Sequence, residues 1–477
     1  MRSFRRSASS AKGPGLSARR ECDRPYDLAA PCLILLVPFI VFVQHEAYGL
    51  LRNESLLCMG LILGAGLLLG LLVILGRAPA RILIMALLFT FVLDMQVAAL
   101  GIRPALAVLA GFVLLSWLLR RHVSRIATVA AGAVLLTTIV MGSGHRTPHE
   151  QTPLDEPHGQ SSLPLVLHII LDEHVGIEGI PEEFDPDGHI AAGLRDLLLA
   201  NGFEVYGRAY SRYFLTAESL SNLLNFDASR ERLRHFGNSF RGGMVLPRNA
   251  WFDLLKQQGY TLHVVQSDYM RYLDPALSAD ALKPHRLTDY RLETITSVRE
   301  APFETWEKAR FILSIYLRLC DTWDWMQSRY AKVRGRLVRR GIELPFWRET
   351  HTRTSPLATL RVMQSWRENL LTAGPGQAHF VHFMLPHYPY AYRADGRLRT
   401  RGGDWRYCTD RTKSPLFNDR ESRAASYIQY LEQMQMTWTE LERAFAILKA
   451  AGQWDDAIVI VHGDHGSRIT EHRPAAA

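Results

Sequence analysis

Five apolar stretches fill most of residues 28–144 and limit this part of the chain to membrane-spanning or fully buried helices. Each is close to the ~20 residues that cross the hydrocarbon core of a bilayer, although the first and fourth are short. They cover residues 28–44, 55–76, 82–102, 104–119 and 126–144. We predict a five-helix transmembrane domain over residues 28–144. Buried helices of a soluble domain are the alternative for the two short stretches.

Basic residues predict the orientation of this domain, because cytoplasmic loops of membrane proteins carry an excess of lysine and arginine. The tail, residues 1–27, and the second and fourth loops are basic, whereas the first and third loops hold only Arg52 and Arg103. We therefore predict a cytoplasmic tail and a multi-pass protein of the plasma (inner) membrane. Five spans then place the chain after Gly144 on the extracytoplasmic or periplasmic side.

Asp94 is the one charged residue inside the third apolar stretch. An intramembrane carboxylate is a candidate functional group. The alternative is a structural role, near the outer interface or hydrogen-bonded to a neighbouring helix. Residues 145–162 are rich in His, Pro, Gly and Ser and predict an exposed linker.

The remainder of the chain alternates β-branched apolar runs with amphipathic segments, which predicts an α/β domain over residues 163–477. We expect a mostly parallel sheet with helices on both faces. The predicted strands are residues 166–171, 262–265, 380–385 and 457–461. The predicted helices are residues 190–201, 217–224, 251–258 and 424–451. A helical insertion is expected at about 291–345, where Arg, Trp and Tyr are frequent; it either rests on lipid headgroups or covers the core.

The formal net charge of +8 favours contact with anionic lipid headgroups over binding of nucleic acid, for which no module is present. No Cys-x-x-Cys pair occurs, which argues against a thiolate zinc site. Cys320 and Cys408 could form one disulfide if their domain is extracytoplasmic.

Acidic and imidazole side chains follow two of the predicted strands. Asp172 and Glu173 come after the first, and Asp464 and His465 come after the last. Ligands of parallel sheets bind beyond the carboxyl ends of strands, so we expect these four side chains to meet. Carboxylates with imidazole and no thiolate suit Zn²⁺ or Mn²⁺, with Ca²⁺ or Mg²⁺ less apt. Glu173 is the preferred ligand of the first pair.

Thr216 opens a predicted helix, where the helix dipole and free N–H groups favour an alkoxide and an anionic phosphoryl or sulfuryl group. A metal bound to its oxygen would make this hydroxyl a competent nucleophile. A simple helix cap is the alternative. His387, in a Pro-flanked turn, could bind a substrate oxygen or protonate a leaving group, and His472 could complete an anion pocket.

Four ordered segments of the chain resemble the alkaline phosphatase/sulfatase superfamily: residues 164–173, 216–224, 380–390 and 454–466. They look like its acidic opening strand, its nucleophile helix, its Pro-His-x-Pro-Tyr strand end and its Asp-His-Gly strand end. The resemblance implies an alkaline-phosphatase-like fold over residues 163–477. It also implies metal ligation by Asp172, Glu173, Thr216, Asp464 and His465.

The Cys-x-Pro-Ser-Arg context of formylglycine sulfatases is missing around Thr216, which argues against that activity. A threonine nucleophile after five spans is similar to the branch with lipoteichoic-acid synthases and phosphoethanolamine transferases. That branch implies transfer of a phosphoethanolamine or phosphoglycerol headgroup from a phospholipid donor, through phosphothreonine, to an envelope glycan or lipid acceptor. Two alternatives stay open: a phosphate or sulfate ester hydrolase of the same fold, and an inactive membrane binding protein. The second follows from the early end of the chain at Ala477, which suggests a truncated domain.

Overall fold

The computed structural model describes most of the chain after the N-terminal tail, and its residues fall into two compact units. The described residues are 16–76, 78–97, 102–141, 162–227, 244–246, 248–266, 270–272, 282–286, 290–317, 319–338, 340, 342, 356–409 and 418–470. The first unit comprises Met1–Pro148 with Ile312–Arg329. The second comprises His149–Phe311 with Tyr330–Ala477.

The first unit contains five helices at the positions of the five apolar stretches. They are α1 (Leu16–His45), α2 (Asn53–Leu75), α3 (Ala78–Val97), α4 (Ile102–Leu118) and α5 (Val123–Met141). Three of them, α1 to α3, are long and apolar enough to cross a membrane. Helices α4 and α5 form a pair bent by 114°, which by length and composition counts as one broken span or a re-entrant loop. By length and composition, three of the described helices could cross a membrane, or four if the bent pair is one span; five spans stay a prediction.

Close backbone packing joins α1 to α2. A Cβ added at Gly66 would lie 2.6 Å from Cys32 Cα, and one added at Gly70 would lie 2.9 Å from Leu28 Cα. Small residues four positions apart allow two membrane helices to approach until their backbones touch. A larger side chain at either glycine would force the two helices apart.

Asp27 joins three further segments of this unit. Its buried carboxylate accepts a hydrogen bond from Ser124 Oγ at 2.6 Å and forms an ion pair with Arg81 Nη2 at 3.0 Å. Asp27 therefore holds the start of the apolar span of α1 (Arg24–His45) beside the beginnings of α3 and α5. A carboxylate removed from water needs such partners, because burying it alone is costly.

The predicted insertion consists of α9 (Tyr290–Glu300), α10 (Thr305–Leu317) and α11 (Asp321–Val338). Within the first unit, Tyr316 packs its ring edge-on against Phe39 of α1 at 5.2 Å between centroids. Asp94 is fully buried, and its Oδ2 accepts hydrogen bonds from Thr322 N at 2.8 Å and from Cys320 Sγ at 3.0 Å. Of the two roles considered for Asp94, the structure therefore supports the structural one: its carboxylate is a hydrogen-bond acceptor for the start of α11.

The second unit is an α/β structure. Its other helices are α6 (His189–Ala200), α7 (Thr216–Leu224), α8 (Ala250–Gln257), α12 (Pro356–Asn369) and α13 (Arg420–Ala450). Its strands are β1 (Val166–Leu171), β2 (Met244–Val245), β3 (Thr261–Gln266), β4 (Met270–Arg271), β5 (Leu282–Arg286), β6 (Gln377–Phe383) and β7 (Ile458–Gly463). Five of these strands pair in parallel in the order β5-β3-β6-β1-β7. Strands β2 and β4 form a separate parallel pair.

Helices cover both faces of the five-stranded sheet. Alternate residues of β1 point to opposite sides, as the two-residue period of a strand requires. Ile169 packs in a cluster with residues of α6, α12 and α13, whereas Ile170 packs with residues of α7 and α8. This confirms the predicted α/β class. Strand β5 and helix α12 were not predicted, and β6 begins and ends earlier than its predicted run.

Asp94 generates the first prediction. Burial and the adjacent Asp94 carboxylate raise the pKa of the Cys320 thiol to about 12, so the thiol stays protonated and unreactive. Asp94→Ala should loosen the start of α11 and increase the rate of Cys320 alkylation by N-ethylmaleimide about tenfold. The measurement is site-resolved mass spectrometry of the detergent-purified protein.

The matched control is Asp94→Asn, which keeps an acceptor oxygen for the Thr322 N–H group and should give a smaller increase. Cys408, a buried free thiol of the second unit, provides an internal reference whose rate should stay constant. Equal Cys320 rates in Asp94→Ala and the unchanged protein would show that the Asp94 contact does not protect this thiol.

Candidate metal centre

The candidate site lies where three adjacent strands end. Strand β1 lies between β6 and β7, and its last residue, Leu171, is in register with Phe383 and Gly463. The residues that follow β1 and β7 therefore emerge side by side at the carboxyl edge of the sheet. This is the edge at which open parallel sheets bind their ligands.

Asp172, His382 and Asp464 form a buried group that could bind a metal ion. One ligand atom from each lies within 4.8 Å of the others. His382 Nε2 is 3.6 Å from Asp172 Oδ2. Neither His382 Nε2 nor Asp464 Oδ2 has a hydrogen-bond partner among the described residues, although both atoms are buried. Buried polar atoms without partners are rare in proteins and are expected where an ion binds.

Thr216 and His465 lie at the edge of this group. His465 Nε2 is 3.4 Å from Asp464 Oδ2, 3.8 Å from Asp172 Oδ1 and 3.3 Å from Thr216 Oγ1. Two ligands of one tetrahedral Zn²⁺ are separated by about 3.3 Å, given metal–ligand bonds of about 2.0 Å. The spacings of these four side chains therefore fit ligands of a common ion.

Charge supports a divalent ion at this position. Asp172, Glu173 and Asp464 are all buried, and among the described residues Arg468 is the cationic side chain that pairs with them. Three carboxylates and one guanidinium leave two negative charges without compensation. Burial and the nearby Asp464 and Glu173 carboxylates raise the pKa of Asp172 well above its usual range. A divalent cation would cancel this charge and favour the ionised form of Asp172.

His382 was not predicted as a site residue. Burial lowers its pKa to about 4, so its imidazole is neutral, which is the form that binds metal. Its Nδ1 lies 2.7 Å from Tyr272 Oη, and this hydrogen bond fixes the ring with Nε2 toward Asp172. The only signal in the sequence was a polar residue one position before the end of an apolar strand.

Thr216 is the first residue of α7 and is buried. The N-cap position belongs to Leu215, so the Thr216 hydroxyl approaches His465 instead of capping the helix. His465 Nδ1 pairs with the Gly466 carbonyl at 2.8 Å, which places the proton on Nδ1 and the lone pair on Nε2, facing Thr216. Ser219 Oγ donates to the Asp464 carbonyl at 2.6 Å and joins α7 to the ligand loop.

Glu173, predicted as the preferred ligand, lies beside the group rather than in it. Its side chain pairs with Arg468 Nε, and its backbone N–H donates to Asp464 Oδ1 at 2.9 Å. Its φ of 62° is in the left-handed region, which is uncommon for glutamate. Asp172 is therefore the member of this acidic pair that joins the metal group.

His387 also contacts Arg468. Its Nδ1 pairs with the Tyr388 carbonyl at 2.6 Å, and its Nε2 accepts from Arg468 Nη2 at 2.8 Å. Burial and the neighbouring guanidinium lower the pKa of His387 to about 3. In the structure His387 is thus a neutral partner of Arg468, and its predicted roles, binding a substrate oxygen or protonating a leaving group, stay a prediction. His472, the other predicted substrate-binding residue, lies outside the described residues.

Two residues that were not predicted keep the loops of the site in place. A Cβ at Gly463 would lie 2.4 Å from the His174 carbonyl oxygen, so only glycine permits this approach just before Asp464. Gln433 of α13 is fully buried and holds the turn around His387. Its Nε2 donates to the His387 carbonyl at 3.0 Å, and its Oε1 accepts from Ala391 N at 2.8 Å.

Comparison of the chain with protein-family models gives no match, and comparison with curated proteins gives none either.

The metal group generates the second prediction. His382→Ala removes one candidate ligand and should lower the affinity for Zn²⁺ or Mn²⁺ more than Tyr272→Phe, which removes only the hydrogen bond that orients His382. Loss of such a supporting hydrogen bond typically costs about 10–100-fold in metal affinity. Chelator competition, with bound metal measured by mass spectrometry, gives both values.

His379→Ala is the control, because His379 is a buried histidine on the opposite face of the same strand, β6, where it stacks on His263. Circular dichroism checks that all three variants are folded. Equal loss of affinity in His379→Ala and His382→Ala would remove His382 from the metal centre.

Proposed function

We propose that this protein is a membrane-anchored, metal-dependent transferase with an alkaline-phosphatase-like catalytic domain. It takes a phosphoethanolamine or phosphoglycerol headgroup from a phospholipid, carries it on Thr216 and passes it to an envelope glycan or lipid. The observation that carries the proposal is the position of the Thr216 hydroxyl, 3.3 Å from His465 Nε2 and beside a buried group that fits a divalent ion. The apolar helices α1 to α3 supply the membrane anchor.

Asp172, Asp464, His382, His465 and the Thr216 hydroxyl are the groups that would hold the metal, with Zn²⁺ or Mn²⁺ the best match to their oxygen and nitrogen atoms. Bound there, the ion would lower the pKa of the hydroxyl and neutralise charge on the phosphoryl oxygens.

The residues of the chain divide the transfer into two steps. In the first, Thr216 Oγ forms a bond to phosphorus and loses its proton to solvent, while the bond from phosphorus to the diacylglycerol oxygen breaks and that oxygen gains a proton. In the second, an acceptor hydroxyl loses its proton and bonds to phosphorus, and Thr216 Oγ leaves and regains a proton. The headgroup is thus transferred from the diacylglycerol oxygen to the acceptor oxygen, with no net gain or loss of protons.

Two features of the chain would stabilise the anionic group during these steps. The first backbone N–H groups of α7 have no intrahelical acceptor and, with the helix dipole, favour negative charge beside Thr216. The Arg468 guanidinium is held by Glu173 and His387 at the edge of the metal group. Both are oriented before substrate binds, which is the condition for effective electrostatic stabilisation.

Thr216 gives the third prediction. Incubation of the detergent-purified protein with mixed phospholipids and Zn²⁺ or Mn²⁺ should add one headgroup mass to the intact protein, and its mass identifies phosphoethanolamine or phosphoglycerol. Thr216→Ala should form no adduct, because no hydroxyl remains to attack phosphorus. Thr216→Ser keeps the hydroxyl and should still form one.

Thr359→Ala, which alters another buried threonine, should behave as the unchanged protein. Full activity of Thr216→Ala would refute the proposal. Release of free headgroup from lipid without any acceptor, through an adduct at Thr216, would instead identify a phosphodiester hydrolase of the same fold.

A further inference from the structure

The segment that leads into Thr216 exposes an unusual set of side chains. Tyr206 is 72% exposed, Tyr210 77%, Phe214 58% and Leu215 40%. Arg208 and Arg212 alternate with these aromatic residues and are also exposed. We call these six residues the aromatic rim. Large apolar side chains grouped on a surface mark an interaction site more often than an isolated one does.

The aromatic rim is continuous with the mouth of the metal centre. The Phe214 ring stacks over the His465 ring, with centroids 6.5 Å apart and planes inclined by 22°. Leu215 immediately precedes the buried Thr216. A molecule that covers Phe214 and Leu215 is therefore within reach of the Thr216 hydroxyl.

The composition of the rim matches the interface of a bilayer. Tyrosine and phenylalanine with arginine are the residues that settle at the headgroup level, where rings enter the acyl boundary and cations meet phosphates. The rim with its neighbour Glu204 carries a net charge of +1, from two arginines and one glutamate. This positive charge complements an anionic lipid surface, which attracts basic residues close to it.

We propose that the aromatic rim docks on a phospholipid bilayer and carries the mouth of the metal centre into the headgroup layer. A donor lipid would then present its phosphate to Thr216 without leaving the bilayer, and its glycerol and first acyl carbons would lie against Phe214 and Leu215. The docking rests on the exposed side chains alone. The identity of the lipid as donor rests on the proposed function.

The first test measures contact with lipid and does not depend on activity. The full chain, in nanodiscs of phosphatidylethanolamine and phosphatidylglycerol, carries an environment-sensitive fluorophore at Tyr210→Cys. The control carries it at Leu371→Cys, an exposed apolar position of the same unit outside the rim. Doxyl-labelled lipid should quench the fluorophore at position 210 and leave that at position 371 unchanged.

The second test separates docking from chemistry. The double variant Tyr206→Ser, Tyr210→Ser should raise KM for a long-chain phospholipid in nanodiscs about tenfold, because aromatic contact with the interface is lost. Its turnover of a monomeric short-chain donor in solution should not change. Leu371→Ser should leave both values unchanged.

Each outcome has a distinct meaning. Quenching at position 210 with a KM change confined to the long-chain donor supports the docking. Quenching without turnover of either donor supports the docking and refutes the proposed transfer. Absence of quenching at position 210 overturns the docking. If the emission of the fluorophore at position 210 reports an apolar environment that doxyl-labelled lipid does not quench, the docking is also overturned, and the rim is covered by protein instead. Equal quenching at positions 210 and 371 also overturns it.

Discussion

Three carboxylates buried at the end of a parallel sheet are the constraint on which the second unit depends. Asp172, Glu173 and Asp464 are almost inaccessible to water, and Arg468 compensates one of their charges. Ionised groups in such a place are destabilising unless they are paired or coordinate metal. The pKa of Asp172 is raised for this reason: in place of a bound cation, a proton can neutralise its carboxylate. Metal binding and folding should therefore be coupled at this site.

The histidines of the site follow from the same burial. The low pKa values of His382 and His387 mean that both imidazoles are neutral at physiological pH. A neutral imidazole is a ligand or a hydrogen-bond acceptor, and these two residues divide those roles. His382 directs its Nε2 toward the metal group, and His387 Nε2 accepts a hydrogen bond from Arg468. Among the described residues of this site, Arg468 is the guanidinium that pairs with the carboxylates, and its charge together with that of one divalent ion would balance the three carboxylates.

The sequence predicted the α/β class and the edge of the sheet at which the site lies, because buried strands and their carboxyl ends leave a strong local pattern. It also named Asp172, Thr216, Asp464 and His465, which the structure brings together. It missed His382, because its role arises only from pairing of β6 with β1. It also did not indicate that Glu173 pairs with Arg468 instead of joining the metal group. The backbone at Glu173 is left-handed, and no pattern of side chains predicts that conformation. The hydropathy of the sequence likewise did not predict the bend between α4 and α5.

The bend between α4 and α5 lies beside a buried polar contact of the first unit. Ser124, at the beginning of α5, donates to Asp27, and Asp27 pairs with Arg81 at the beginning of α3. The turn into α5 therefore lies beside Asp27, close to where the apolar span of α1 and the helix α3 begin, and its arginines would be costly in the hydrocarbon core. Arg120 lies over the Trp117 ring, a pairing typical of the interface. The turn between α4 and α5 thus has the composition of a segment at the membrane interface, which suits both forms of the 114° bend, a broken span and a re-entrant loop.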